Sequence, residues 1–270
     1  MIRTTIALLL AALALTPAWP ARALEQSVVE IAYADRGQPV TLKGYLGKPD
    51  GEGPFPAVVL VHGCSGVEMS HHAWVQRFVE MGYVALIVDS LTTRNIETLC
   101  TDAGFLKLSY NARVFDAYAA AHYLRAQPFV DGTRVAVAGW SHGGTTVLKL
   151  AVPSEQNARF LDFKPEPFRS VLAFYPYCSP LDGDIELRTL VLIGDADDWT
   201  PLSLCAGMVK VQRQTGRPIE IVVYPGATHA YDAVGVGNGM NYLGHFLKYD
   251  ATATEDSAAR ARAFLAETLQ

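Results

Sequence analysis

The chain has no basic block and no interleaving of aromatic with basic residues, and its 22 Lys and Arg are outnumbered by 27 Asp and Glu. It therefore lacks the electrostatic footprint of a nucleic-acid binder. Beyond the N-terminal region no segment reaches 18 uninterrupted apolar residues, so stable membrane insertion is not expected. Seven histidines are present, but neither an HExxH motif nor a Cys/His cluster with ligand spacing occurs. His71 and His72 are adjacent, so on a helix they diverge, and no metal is implied. No glycine-rich phosphate loop precedes a helix, which leaves a nucleotide or other cofactor without support. CxxC spacing, internal repeats and an interdomain linker are also missing.

The N-terminus comes first among the features present. Met1-Ile2-Arg3 is a short basic start, Ile6 to Leu15 an apolar run, and Ala21-Arg22-Ala23 a small-x-small end. This pattern is expected of a secretory signal peptide, residues 1–23, cleaved after Ala23. Export to the periplasm or the medium is the matching expectation. Removing 23 of 270 residues leaves 247, Leu24 to Gln270, enough for one single-core domain. That remainder carries 20 Lys and Arg against 27 Asp and Glu, a formal charge of −7 that speaks to solubility. Four cysteines, Cys64, Cys100, Cys178 and Cys205, allow three pairings. An oxidising compartment favours disulfides over four buried thiols. Cys64–Cys100 and Cys178–Cys205 are favoured, because each would join loops at the same edge of the sheet.

Hydrophobic patterning gives alternating strands and helices. Val28 to Tyr33 and Val40 to Leu46 read as an edge hairpin, and Ala57 to Val61 as a buried parallel strand. His71 to Met81 reads as a helix, Tyr83 to Val88 as a strand closed by Asp89, and Ser90 to Lys107 as an irregular loop. Ser109 to Gln127 is a long helix, after which Asp131-Gly132 is expected to turn the chain back. Pro153 to Pro167 reads as a loop or short cap excursion. Ser170 to Phe174, Thr189 to Ile193 and Ile219 to Tyr224 read as further strands, and Leu202 to Thr215 as a helix. Gly235 to Gly239 reads as a flexible loop before an Ala-rich closing helix over Thr252 to Leu269. This is the alternation of an α/β fold, a mostly parallel central sheet with helices on both faces.

The chain turns on Val135 to Leu150, VAVAGWSHGGTTVLKL. An apolar strand runs into Gly139-Trp140-Ser141-His142-Gly143 and on into a helical segment, which is the context that gives G-x-S-x-G its meaning. Glycines at 139, 143 and 144 let strand and helix backbones approach closely. Ser141 is thereby set over a helix N-terminus, where amides stabilise developing negative charge. A serine needs an imidazole to take its proton and a carboxylate to hold that ring. His229 follows one strand, and Asp195, Asp197 and Asp198 follow another. Strand-end placement does not separate the three aspartates. Two amides are expected to form an oxyanion hole, one from His142 and one from Cys64 in the loop where Gly63 permits a tight approach.

His62-Gly63-Cys64-Ser65-Gly66, the elbow at 139–143, Gly194 to Pro201 and Tyr-Pro-Gly-Ala-Thr-His through Asp232 together resemble the dienelactone hydrolase family. The resemblance spans Val28 to Leu269. It implies the α/β-hydrolase fold and the order nucleophile, acid, histidine. It also implies that Asp197 is the acid, three residues after Gly194. Two departures stand out. The best-known family enzymes have a cysteine in the elbow where this chain has Ser141, and a glutamate where it has Gly63. Both point to serine esterase chemistry through an acyl-enzyme, on small uncharged or mono-acidic esters and lactones. The resemblance suggests Arg94 as a binder of a substrate carboxylate. Trp74, Trp140, Tyr175, Trp199 and Tyr231 lie near strand ends and are expected to wall the pocket. Competing readings are an amide or peptide hydrolase with the same triad, and an inactive binding protein on a hydrolase scaffold.

Overall fold

The computed structural model describes residues 26–152, 160–178 and 183–270. The expected signal peptide and part of the expected cap excursion lie outside them.

Two antiparallel strands open the chain, β1 (Ser27–Asp35) and β2 (Gln38–Gly47). Then follow β3 (Phe55–Val61), α1 (Met69–Glu80), β4 (Val84–Asp89), a short α2 (Asp102–Phe105) and the long α3 (Tyr110–Arg125). The central unit is β5 (Val130–Trp140) and α4 (His142–Leu150). After it come β6 (Ser170–Phe174), β7 (Arg188–Gly194), α5 (Leu202–Gln214) and β8 (Ile219–Tyr224). A small hairpin, β9 (Met240–Tyr242) with β10 (His245–Leu247), precedes the closing α6 (Ala251–Thr268).

The main sheet has the order β1-β2-β4-β3-β5-β6-β7-β8, and the strands from β4 through β8 pair in parallel. β2 joins β4 antiparallel, which makes the first hairpin an edge as expected. The run Ala57 to Val61 and all of β4 are buried, because helices cover both faces of the sheet. Ser109 caps α3 by accepting from the Ala112 amide, and Asp250 caps α6 through Ala253.

Three expectations need correction. Asp131-Gly132 is not a turn but lies within β5, whose Val130 pairs with Phe55 ahead of a register shift. The segment Ser90 to Lys107 is more ordered than a loop. It holds a 3₁₀ turn at Thr92–Arg94 and α2, and is stapled by Cys64–Cys100. The region of Gly235 to Gly239 begins in a 3₁₀ turn, Val234–Val236, and leads into the β9–β10 hairpin. Both cysteine pairs form the expected disulfides, with sulfur–sulfur distances of 2.12 Å.

Candidate active site

Ser141 sits between β5 and α4 with φ 53° and ψ −116°, a conformation that L side chains rarely adopt. Neighbouring packing enforces it. A Cβ on Gly139 would lie 2.3 Å from the Gly143 carbonyl oxygen, and one on Gly143 only 2.0 Å from the Val61 oxygen. The Ser141 amide donates to Phe174 O at 2.9 Å, which fixes the elbow against the end of β6.

The histidine and the acid converge on that hydroxyl. His229 Nε2 stands 2.9 Å from Ser141 Oγ, and His229 Nδ1 stands 2.8 Å from Asp197 Oδ2. With Asp197 ionised, Nδ1–H donates to the carboxylate and Nε2 is left to accept from the serine hydroxyl. His229 and Asp197 are almost fully buried. Burial pushes the Asp197 carboxyl up, but hydrogen bonds from His229 and Thr200 outweigh it and hold the group below its ordinary value. Asp195 and Asp198 are spent elsewhere: Asp195 accepts from the Gly226 amide, and Asp198 meets His245 at the surface.

Thr200 is a neighbour that sequence reasoning missed. Its hydroxyl donates to Asp197 Oδ2 at 2.7 Å, while its amide donates to Asp197 Oδ1, also at 2.7 Å. A threonine three residues beyond an aspartate is a common turn pattern, so it carried no distinguishing signal.

Above the serine lies a cavity of about 780 Å³. Of the aromatics expected to wall it, Trp140, Tyr175 and Trp199 do. Trp74 and Tyr231 do not line it. Trp74 is packed under Phe174 and donates its Nε1–H to Asp232, and Tyr231 is wholly buried with its hydroxyl against Ser257. Arg94 is also displaced from its expected place. Its guanidinium makes two bonds to the buried Asp116, at 2.7 and 2.9 Å, and reaches Tyr33 and Ser90 O. The unforeseen wall comes from Val234, Val236, Met240, Tyr242 and Leu247, around the β9–β10 hairpin. Among the described lining residues none is Lys or Arg, and the carboxylates are Glu68 and Asp232. Asp232 accepts from Trp74, Trp140 and Tyr175, yet burial outweighs these donors and raises its carboxyl.

The hydrogen-bonded series serine, histidine, aspartate is the site of a serine hydrolase, and all four cysteines are bound in disulfides, which rules out a cysteine nucleophile. Comparison with known proteins gives the family. The model of the "dienelactone hydrolase family" matches residues 42–269. The chain belongs to the dienelactone hydrolase family. A protein of Methylorubrum extorquens provisionally named carboxymethylenebutenolidase is 26% identical over 200 residues, covering 71% of this chain and 68% of that one. A Bradyrhizobium protein provisionally named 2-oxo-3-(5-oxofuran-2-ylidene)propanoate lactonase is 25% identical over 194 residues, covering 69% and 77%. Among solved structures, Thermogutta terrifontis esterase 2 phosphorylated by paraoxon shares the fold, with a TM-score of 0.67, 19% identity, and coverage of 92% and 96%. A Cβ added at Gly63 would stand 3.7 Å from Ser141 Cβ, so this loop lies against the elbow.

Proposed function

We propose that this protein is an exported serine hydrolase of small, uncharged carboxylic esters and lactones. The observation that carries this reading is the Ser141–His229–Asp197 series at the floor of a cavity whose described lining is mostly apolar and contains no cation. Ser141 Oγ attacks the carbonyl carbon as His229 Nε2 takes its proton. Asp197 keeps the ring in the useful tautomer and stabilises the imidazolium. The imidazolium then protonates the leaving alkoxide, and afterwards the neutral ring draws a proton from water to release the acyl group. The Cys64 and His142 amides hold the oxyanion, and each is worth about 3 kcal/mol of transition-state stabilisation.

The relatives' names describe lactones bearing a carboxylate. Here Arg94 is occupied by Asp116, and Glu68 and Asp232 face the cavity, so esters and lactones without that carboxylate fit the site better. Trp140, Tyr175 and Trp199 give an apolar limb of the substrate its contacts. Export is supported by the basic start, apolar run and Ala21-Arg22-Ala23 end, and by two disulfides, which persist in oxidising compartments.

A matched pair of activated esters tests this reading. The enzyme should hydrolyse p-nitrophenyl butyrate with a kcat/KM at least about tenfold above that for p-nitrophenyl hemisuccinate, because the second brings a carboxylate into a cavity whose described lining holds Glu68 and Asp232 and no Lys or Arg. Ser141→Ala should abolish both reactions and also labelling by a fluorophosphonate probe. Equal rates on the pair would refute the charge preference. Folded wild type that neither labels nor turns over either ester would mean an idle scaffold.

A further inference from the structure

Behind the site lies a charge that the reaction as described does not use. Arg113, on α3, has no accessible surface. Its Nη1 donates to His142 Nδ1 at 2.7 Å and its Nη2 to the His62 carbonyl oxygen at 2.6 Å. The first partner is the side chain of the residue that bears one of the two amides assigned above to the oxyanion, and the second lies in the peptide immediately before the Gly63–Cys64 peptide that bears the other. We propose that Arg113 is a positioning residue that sets both oxyanion donors from behind and holds a buried positive charge beside them; this rests on the serine-hydrolase reading.

The geometry on the Cys64 side can be followed atom by atom. His62 Nε2 accepts from the Ser90 amide at 3.1 Å, so its proton lies on Nδ1. Nδ1–H donates to the Gly63 carbonyl oxygen at 2.6 Å. That carbonyl and the Cys64 N–H belong to one planar peptide, so fixing the first aims the second. Arg113 anchors the peptide before it through His62 O, and Leu99 N anchors the one after it by donating to Cys64 O at 2.8 Å. In this tautomer the 3.2 Å approach of Arg113 Nη2 to His62 Nδ1 is a contact between two donors, not a bond.

On the other side the guanidinium holds the His142 ring, which is stacked on Tyr110 at 4.1 Å between centroids. Burial first, and Arg113 second, press the His142 imidazole down to about 2, so it stays neutral and its Nδ1 can accept. The two sides are pressed together, since a Cβ on Gly143 would meet His62 O at 2.4 Å as well as Val61 O.

The choice of partners is what separates this role from a purely structural one. A carboxylate is available one helical turn away, at Asp116, but it is taken by Arg94 and Tyr33. The forked end of Arg113 is met instead by neutral acceptors. Burying a cation without an ion-pair partner is a costly way to stabilise a fold. It becomes useful where negative charge develops during a reaction.

The test compares p-nitrophenyl butyrate with its thiono analogue, in which the carbonyl oxygen is sulfur and gains little from an oxyanion hole. Arg113→Met should lower kcat on the oxygen ester about 10- to 100-fold with KM within about threefold, part of the loss expected for an oxyanion donor. The oxygen-to-sulfur rate ratio should fall in step. Both rates come from the same molecules, so a partly folded preparation leaves the ratio undistorted. Arg113→Lys keeps a charge but cannot span both partners, and should restore part of the ratio. A ratio equal to wild type in Arg113→Met overturns the proposal. If that variant does not fold, an unchanged ratio in Arg113→Lys overturns it equally. Loss of turnover and of Ser141 labelling in wild type would instead refute the hydrolase reading, whereas an active wild type with an unmoved ratio refutes this inference alone.

Discussion

Asp197 does more than pair with His229. Its Oδ1 accepts from the Trp199 and Thr200 amides, and its Oδ2 from His229 and the Thr200 hydroxyl. The turn after β7 therefore organises the acid as it presents it. Asp197→Asn should keep this turn, because an amide oxygen can still cap both N–H groups. Its NH₂ would face His229 Nδ1 and favour the wrong tautomer, so kcat should fall by roughly 10³- to 10⁴-fold with an unchanged melting temperature, measured by initial rates and thermal scanning. A loss under tenfold would move the acid role elsewhere. The choice of Asp197 over its neighbours was not visible in the residues alone and came from the family resemblance. Three-dimensional pairing supplies the physical reason, since only this carboxylate faces the ring while Asp195 and Asp198 bond to Gly226 and His245.

Among the elements, the β5–α4 unit was legible because its glycines are demanded by close approach. Gly143→Ala drives a Cβ into the backbone of β3, and should cost at least about 1–3 kcal/mol in urea unfolding and nearly all activity. Gly207, inside α5, has open space around its Cβ position, so Gly207→Ala should raise stability by about 0.5–1 kcal/mol with activity intact. If the two substitutions behave alike, the packing argument fails. The Cys64–Cys100 disulfide ties the loop bearing an oxyanion donor to the segment after β4. Cys100→Ser together with Cys64→Ser should lower kcat more than it raises KM, as read from full saturation curves. The hairpin β9–β10 escaped sequence reading because three-residue strands are too short for alternation to register. What holds it is remote contact: His229 bridges to Leu247, and the Lys248 amide donates to Thr228 Oγ1.

For the molecule as a whole, the described interior holds three histidines outside the catalytic series, His62, His71 and His142, in the neutral form. Burial is the largest cause in each case, and it lowers all of them below 6.5, His71 to about 3 and His142 to about 2. The folded protein thus refuses protons that the unfolded chain accepts. Stability is full above 6.5 and is lost as pH falls below it, by roughly 1.4 kcal/mol per pH unit for each histidine. The urea midpoint should therefore drop clearly between pH 7.5 and pH 5, and a flat midpoint would contradict the buried neutral assignment. Reduction of both disulfides should cost about 3 to 4 kcal/mol each on loop-closure grounds, read from the same unfolding curves with and without reductant.

By itself the sequence determined the alternation of strands and helices, the elbow serine and the histidine after the last strand of the main sheet. These features are local: a strand, a tight glycine turn and a helix declare themselves within about a dozen residues, and strand ends collect on one edge of a parallel sheet. The tertiary structure decided which groups face the substrate. Arg94 was claimed by Asp116, 22 positions on, and Arg113 was aimed at His62 and His142, 51 and 29 positions away. A charged side chain in the sequence carries no record of its partner. The contacts that bury or pair it form only when distant segments meet, and that choice sets the chemistry of the cavity.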